Sequence, residues 1–275
     1  MNLPVLHSYL IGDGVVAFTT TRQGGVSEGN YATFNINHYC GDDEKAISIN
    51  RSALCNLLHI TDEQLVYPHQ THQTEVRAIT PSFYELTNDE RNSFLEGVDV
   101  VMTDLPGVCI GVSTADCIPV LLYDEAHHAM AAVHAGWRGT VARIVVKTVR
   151  KMEEIYHTHP QQLRAVIGPG ISLRNFEVGD EVYNAFREAD FPMDKIAQHY
   201  PVSASIEDRK TSDDLMRWHL DLPECNRLQL IDCGLEKEQI QLSDICTYDR
   251  CDEYFSARRL GINSGRIFTG ILLKE

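Results

Sequence analysis

Short β-rich apolar runs, separated by polar turns, alternate along this chain with a few segments that carry the three-to-four spacing of a helix. Residues 14–20 (GVVAFTT) predict a strand that ends in the polar turn TRQGGVS. Further strands are predicted at 76–79, 98–103, 108–113, 118–123, 130–134 and 164–167, and the last apolar run, 266–273, reads as a closing strand. The links between the strands from 98 to 134 are too short for helical crossovers, so the sheets are expected to be largely antiparallel or mixed. After the GDD turn at 41–43, Ile47, Ile49, Leu54, Cys55 and Leu58 are spaced for an amphipathic helix. A longer helix is predicted over 140–156, where Val141, Val145, Val149, Met152 and Ile155 step along one face, and shorter ones near 180–188 and 223–231.

Strands and helices alternate irregularly, with no internal repeat and no shift of composition that marks a boundary. The expectation is one α+β domain over 1–275, with mixed, largely antiparallel sheets. A net charge of -15 argues against sequence-independent nucleic-acid binding, which needs many Lys and Arg to neutralise phosphates. The first residues, MNLPVLHSYLIGDG, lack a basic n-region, and no apolar run is long enough to span a bilayer. A cytoplasmic protein without a membrane partner is expected. The eight cysteines are spread along the chain and read as reduced thiols. Cys40, Cys55, Cys109 and Cys233 have apolar neighbours in sequence, which suits buried thiols. Cys225, Cys233, Cys246 and Cys251 lack the CxxC spacing of a zinc knuckle.

The densest chemistry lies between TADC, which ends at Cys117, and HAGWRG, which begins at His134. A thiol and an imidazole in Gly/Ala-rich turns have little bulk around them, so both can reach a cavity. They suit a nucleophile and its base, or two metal ligands. His69 and His72, in the polar stretch YPHQTHQTEV, offer a further imidazole. Two imidazoles and a thiolate form a good ligand set for zinc with the fourth position open, although only the fold can bring such distant residues together. A helix starting just after HAGWRG would add free backbone N–H groups able to hold an anion.

The segments QTH at 70–72, TADCIPVLLYD at 114–124 and AAVHAGWRGT at 131–140 resemble the three hallmark segments of the YfiH-type family, also called the laccase-domain or polyphenol-oxidase family. TTRQGGVS ending at Ser27, GDD with Asn50 and Arg51, IGPGIS at 167–172, FEVGDEV at 176–182, NRLQL at 226–230, Cys246 with Thr247, FSARR at 255–259 and SGR at 264–266 extend the resemblance over nearly the whole chain. It implies a sandwich with sheets inside and helices outside, similar to the catalytic domain of cytotoxic necrotizing factor. It also implies a mononuclear zinc site of His72, Cys117 and His134, with His69 the competing imidazole. The activity implied is phosphorolysis of adenosine, inosine and methylthioadenosine, with deamination of adenosine. Purine nucleosides and phosphate would be the small-molecule partners, and a homodimer is compatible with this reading.

Other chemistries remain open on the residues alone. Copper suits two imidazoles and a thiolate, but multicopper oxidases need further HxH pairs, and only His157 with His159 forms one. Cys117 with His134 as base would make a cysteine hydrolase or deamidase without metal. His69 as a fourth ligand would close the site into a structural zinc module. For phosphate, Arg22, Arg51 and Arg138 are the candidate cations. Asp116 is the candidate proton acceptor beside Cys117, its alternative role being a turn-capping aspartate.

Overall fold

The short apolar runs become the strands of two stacked sheets in a computed structural model that describes residues 3–201 and 216–274. The first sheet runs β1 (Leu6–Tyr9), β2 (Val15–Thr20), β14 (Ile267–Leu273), β6 (Cys109–Thr114) and β3 (Leu65–Val66). The second runs β13 (Ile240–Leu242), β9 (Arg164–Ile167), β7 (Ile118–Asp124), β8 (Ala129–Ala135), β5 (Val100–Thr103) and β4 (Val76–Ala78). A small third sheet joins β10 (Glu177–Val178), β12 (Met216–Leu220) and β11 (Ala197–Pro201). Every pairing is antiparallel except β3 with β6, β4 with β5 and β9 with β13, so the mixed, largely antiparallel expectation holds.

Side-chain alternation explains the layers. Leu121 and Tyr123 of β7 face the other sheet, where they meet Ile110 and Val112 of β6 and Ile271 of β14. Ile118, Val120 and Leu122 of the same strand face outward into a second core, built with α4 (Ile144–Tyr156), α5 (Asp180–Glu188) and α7 (Leu222–Asp232). On the far side of the first sheet, Phe18, Cys109 and Phe268 pack against Leu54 and Cys55 of α1 (Glu44–Leu58). The order is helix, sheet, sheet, helix. Both faces of the central strands are buried, and each fully buried Val or Leu contributes about 1.5–3 kcal/mol.

The helix after GDD forms as expected, with the Asp43 side chain accepting from the Ala46 N–H. Among the described residues four smaller helices complete the set: α2 (Asn88–Leu95), α3 (Trp137–Val141), α6 (Met193–Ile196) and α8 (Ala257–Leu260). One expectation needs correction. The helix predicted over 140–156 is broken: α3 ends at Val141, and α4 begins after Arg143, which sits at φ 62°. No Gly or Pro marks that break. Arg143 is held there by tertiary contacts, donating to Ala189 O at 2.8 Å with its guanidinium 3.8 Å from the Phe191 ring centre. The last apolar run forms the expected strand, β14, which pairs with β2 on one side and β6 on the other. All eight cysteines are free; Cys55 and Cys109 are buried, whereas Cys40 and Cys233 are only half-buried.

Asn50 ties α1 to the segment that leads toward the site. Its amide protons are shared among Ser27 Oγ, Thr33 O and Asn35 O, and its Oδ1 accepts from Val26 N–H at 3.0 Å. It is 1% exposed. Asn50→Ala takes the partner from Asn35 O and Val26 N–H, while Ser27 Oγ keeps Asp42 and Thr33 O keeps the Ser27 N–H. It is expected to lower unfolding stability by about 1–3 kcal/mol, as read from a denaturant midpoint at unchanged m-value.

Candidate metal centre

Three connections bring the donors together. His72 lies in the loop between β3 and β4, Cys117 in the turn by which the chain passes from β6 to β7, and His134 near the end of β8. Their ligand atoms all lie within 4.8 Å of one another. The two imidazoles meet edge to face, with ring centres 4.8 Å apart. His134 is buried, Cys117 half-buried and His72 exposed, so the group opens to one side.

Asp99, just ahead of β5, organises this geometry and was not singled out from the sequence. Its buried carboxylate accepts from His134 Nδ1 at 2.6 Å, from the His72 backbone N–H at 3.1 Å and from that of Gln73 at 2.7 Å. The bond to Nδ1 leaves Nε2 of His134 for the shared space. The amide bonds hold His72 at φ 63°, a left-handed conformation that costs a non-glycine residue about 1–2 kcal/mol. Aspartate before a strand is too common for pattern alone to have flagged this one.

Electrostatics follow the same contacts. Burial pushes the Cys117 thiol up, but His134 and His72 outweigh it and bring the thiol down to about 6. Burial pulls the His134 imidazole down, and Cys117 and Asp99 more than reverse that, taking it up to about 9. Burial raises the Asp99 carboxyl, yet the His134 hydrogen bond and charge and the two amides hold it below the usual carboxylate range.

Gly136 supplies the room. A Cβ built there would lie 3.1 Å from His72 Cδ2 and 3.2 Å from Cys117 Sγ. Its φ of -69° is open to any residue, so space, not backbone freedom, calls for glycine. A borderline-soft N,N,S donor set, an oriented imidazole, a thiol with a lowered pKa and a gap at the convergence point together fit a metal of the zinc type.

The three donors sit in the wall of a cleft of about 410 Å³. His69 lines it too, but its Nδ1 is bonded to Glu96 at 2.8 Å and its ring is stacked on Tyr39 at 4.1 Å, outside the convergent group. Cys40 lines it as well, donating to Asn37 O instead of packing in the core its sequence neighbours suggested.

The remaining candidate residues are placed differently from one another. Arg22 donates to Ala32 O at 2.7 Å and Cys251 O at 2.6 Å. Arg51 pairs with Asp62 at 2.9 Å and faces a separate cavity of about 620 Å³. Arg138 is exposed and stacks over Trp137, its guanidinium carbon 4.3 Å from the ring centre. None of the three lines the cleft; Arg266 does, donating to the carbonyls of Ser264, Gly265 and Ile262. The Asp116 carboxylate accepts from Thr247 Oγ1 at 2.8 Å and Arg258 N–H at 2.7 Å and does not reach the cleft wall. The helix beginning within HAGWRG is the five-residue α3, so the dipole of the long helix α4 starts eight residues beyond Gly136 instead of at the site.

The chain matches the family described as multi-copper polyphenol oxidoreductase laccase over residues 16–274. It is 46% identical over 258 residues to a purine nucleoside phosphorylase of Bacteroides thetaiotaomicron, covering 94% of this chain and 91% of the relative. It is 40% identical over 262 residues to adenosine deaminase RL5 of an unknown prokaryotic organism, covering 95% of each. The crystal structure of the Bacillus licheniformis hypothetical protein YfiH superposes with a TM-score of 0.82 at 29% identity, covering 94% of this chain and 93% of that one. Among the described residues, no helix is long and apolar enough to cross a membrane.

Two substitutions test the geometry. Asp99→Asn cannot accept from all three donors, and about 10–100-fold weaker zinc binding is expected in competition with a chromophoric chelator. Gly136→Ala is expected to weaken binding by crowding the His72 and Cys117 side chains while leaving far-ultraviolet circular dichroism unchanged. Wild-type affinity in both variants would remove Asp99 and Gly136 from any part in the site.

Proposed function

The chain belongs to the multi-copper polyphenol oxidoreductase laccase family, and from that premise we propose that it is a zinc-dependent purine nucleoside enzyme. It splits adenosine, inosine and methylthioadenosine with phosphate, giving the free base and ribose 1-phosphate or methylthioribose 1-phosphate, and it deaminates adenosine. The observation that carries this reading is the convergence of His72, Cys117 and His134 at the wall of a cleft of nucleoside size. The names borne by the similar phosphorylase and deaminase support the substrate class. Zinc held by the three side chains would supply Lewis acidity in the cleft.

The residues divide the remaining work. Cys117 and His134 offer a thiolate and, through the Asp99 contact at Nδ1, a ring nitrogen of fixed orientation. Gly136 keeps the convergence point free of side-chain bulk. In phosphorolysis a phosphate oxygen bonds to the ribose C1′ as the glycosidic bond breaks, and the base leaves with the bonding pair. Arg22 and Arg51 have their guanidinium groups committed to neighbouring carbonyls or a carboxylate, so Arg138 is the cation we assign to phosphate. It stands two residues after Gly136, exposed over Trp137 outside the cleft wall, and has no ion-pair partner among the described residues. Asp116 we assign to positioning, because its two oxygens tie the TADC turn to Thr247 and Arg258.

Zinc is favoured over copper by ligand count. The described residues hold one convergent group of three donors, and His157 and His159 do not belong to it, whereas a multicopper oxidase needs ligands for several metals. One observation favours a second reading as a cysteine hydrolase or deamidase: the thiol at about 6 and the imidazole at about 9 describe a thiolate–imidazolium pair when no metal is bound.

Adenosine and inosine incubated with and without phosphate, with the products separated, test the main reading. Phosphate-dependent release of adenine and hypoxanthine with ribose 1-phosphate is expected, and Cys117→Ala is expected to abolish it. Arg138→Ala should raise the KM for phosphate about tenfold with the KM for nucleoside little changed. Full activity after chelation, combined with inactivation by thiol alkylation, would reject zinc catalysis in favour of the cysteine hydrolase.

A further inference from the structure

The cleft is not uniformly polar. Tyr39 is 44% exposed and Ile262 is 78% exposed, and both belong to its lining although they lie far apart in the chain. A single exposed apolar side chain is ordinary, but two that line one cleft offer a ligand apolar surface to cover. Neither sits on a loose support. The Tyr39 ring is stacked on His69 with centres 4.1 Å apart and planes 20° from parallel, and Glu96 fixes His69 from behind. Backbone bonds from His69 N to Leu95 O and from Gly97 N to His69 O hold the same strip. The turn carrying Ile262 is pinned by Arg266, whose guanidinium donates to Ile262 O at 3.0 Å, and by the Ser264 hydroxyl on Gly261 O.

A supported aromatic stack and an aliphatic side chain on a pinned turn in one cleft suit a flat, weakly polar ring better than a sugar or a phosphate. Asn263, exposed beside Ile262 and also in the lining, carries an amide that can donate to and accept from the edge of such a ring. Resting on the nucleoside reading above, we infer that Tyr39 and Ile262 clamp the purine base of the substrate and that Asn263 reads its edge. Specificity for the base then resides in the two loops around 39 and 262.

Steady-state kinetics of the zinc-loaded enzyme with inosine test the clamp. Tyr39→Ala and Ile262→Ala are each expected to raise the KM for inosine about tenfold while kcat and zinc content change little, and Tyr39→Phe should retain the wild-type KM. Free hypoxanthine is expected to bind the wild type in equilibrium dialysis and to bind Tyr39→Ala about tenfold more weakly. Asn263→Ala should alter the ratio of KM values for adenosine and inosine. Turnover by the wild type with unchanged KM and hypoxanthine binding in both alanine variants overturns the clamp and leaves the nucleoside reading standing. A wild type that neither turns over nucleosides nor binds hypoxanthine removes that reading and this inference with it.

Discussion

The carboxylate of Asp99 is buried, and it is shared by the ring of one donor, His134, and the backbone of another, His72. An ionised carboxylate out of water is tolerable only when its oxygens are filled, and here a ring N–H and two amides fill them. Those bonds also select which nitrogen of His134 faces the third donor and hold the His72 backbone in a conformation it would otherwise leave. The position of the convergent group is thus set by a residue that contributes no ligand atom to it.

That arrangement depends on the sandwich around it. Cys117 lies where the chain leaves one sheet for the other, His134 ends a central strand of the second sheet, and His72 belongs to a loop that starts from an edge strand of the first. Because the inner strands are buried on both faces, their ends have little freedom, and side chains mounted there are held to the register of the sheet. The cleft lip is built from different material: loops near residues 39 and 262, tied down by side-chain bonds to carbonyls instead of by strand pairing.

Much of this was legible in the residues. The strands between 98 and 134 are short apolar runs with links too short for helical crossovers, which points to antiparallel or mixed sheets. That only β7 and β8 among them pair as chain neighbours, while the links on either side of β6 cross between the sheets, was not legible. The three donors were legible as residue types and as family-like segments, whereas periodicity could say nothing of their meeting. What escaped detection is tertiary in origin. The helix break at Arg143 is imposed by Ala189 and Phe191, over forty residues away, on a stretch whose own pattern is continuous. Asp99 looks like any polar residue before a strand. Arg22 and Arg51 looked like anion sites because Arg in a turn or on a helix does not reveal whether a carbonyl or carboxylate already occupies it.

The wide separation of the donors along the chain has a consequence for assembly. Residues 72, 117 and 134 meet only after both sheets have formed and stacked, so no local fragment of the chain can reproduce the set. A metal with affinity for all three therefore discriminates between native and unfolded chains, and by mass action it draws the population toward the native one. Occupancy at this centre would report on the integrity of the whole sandwich.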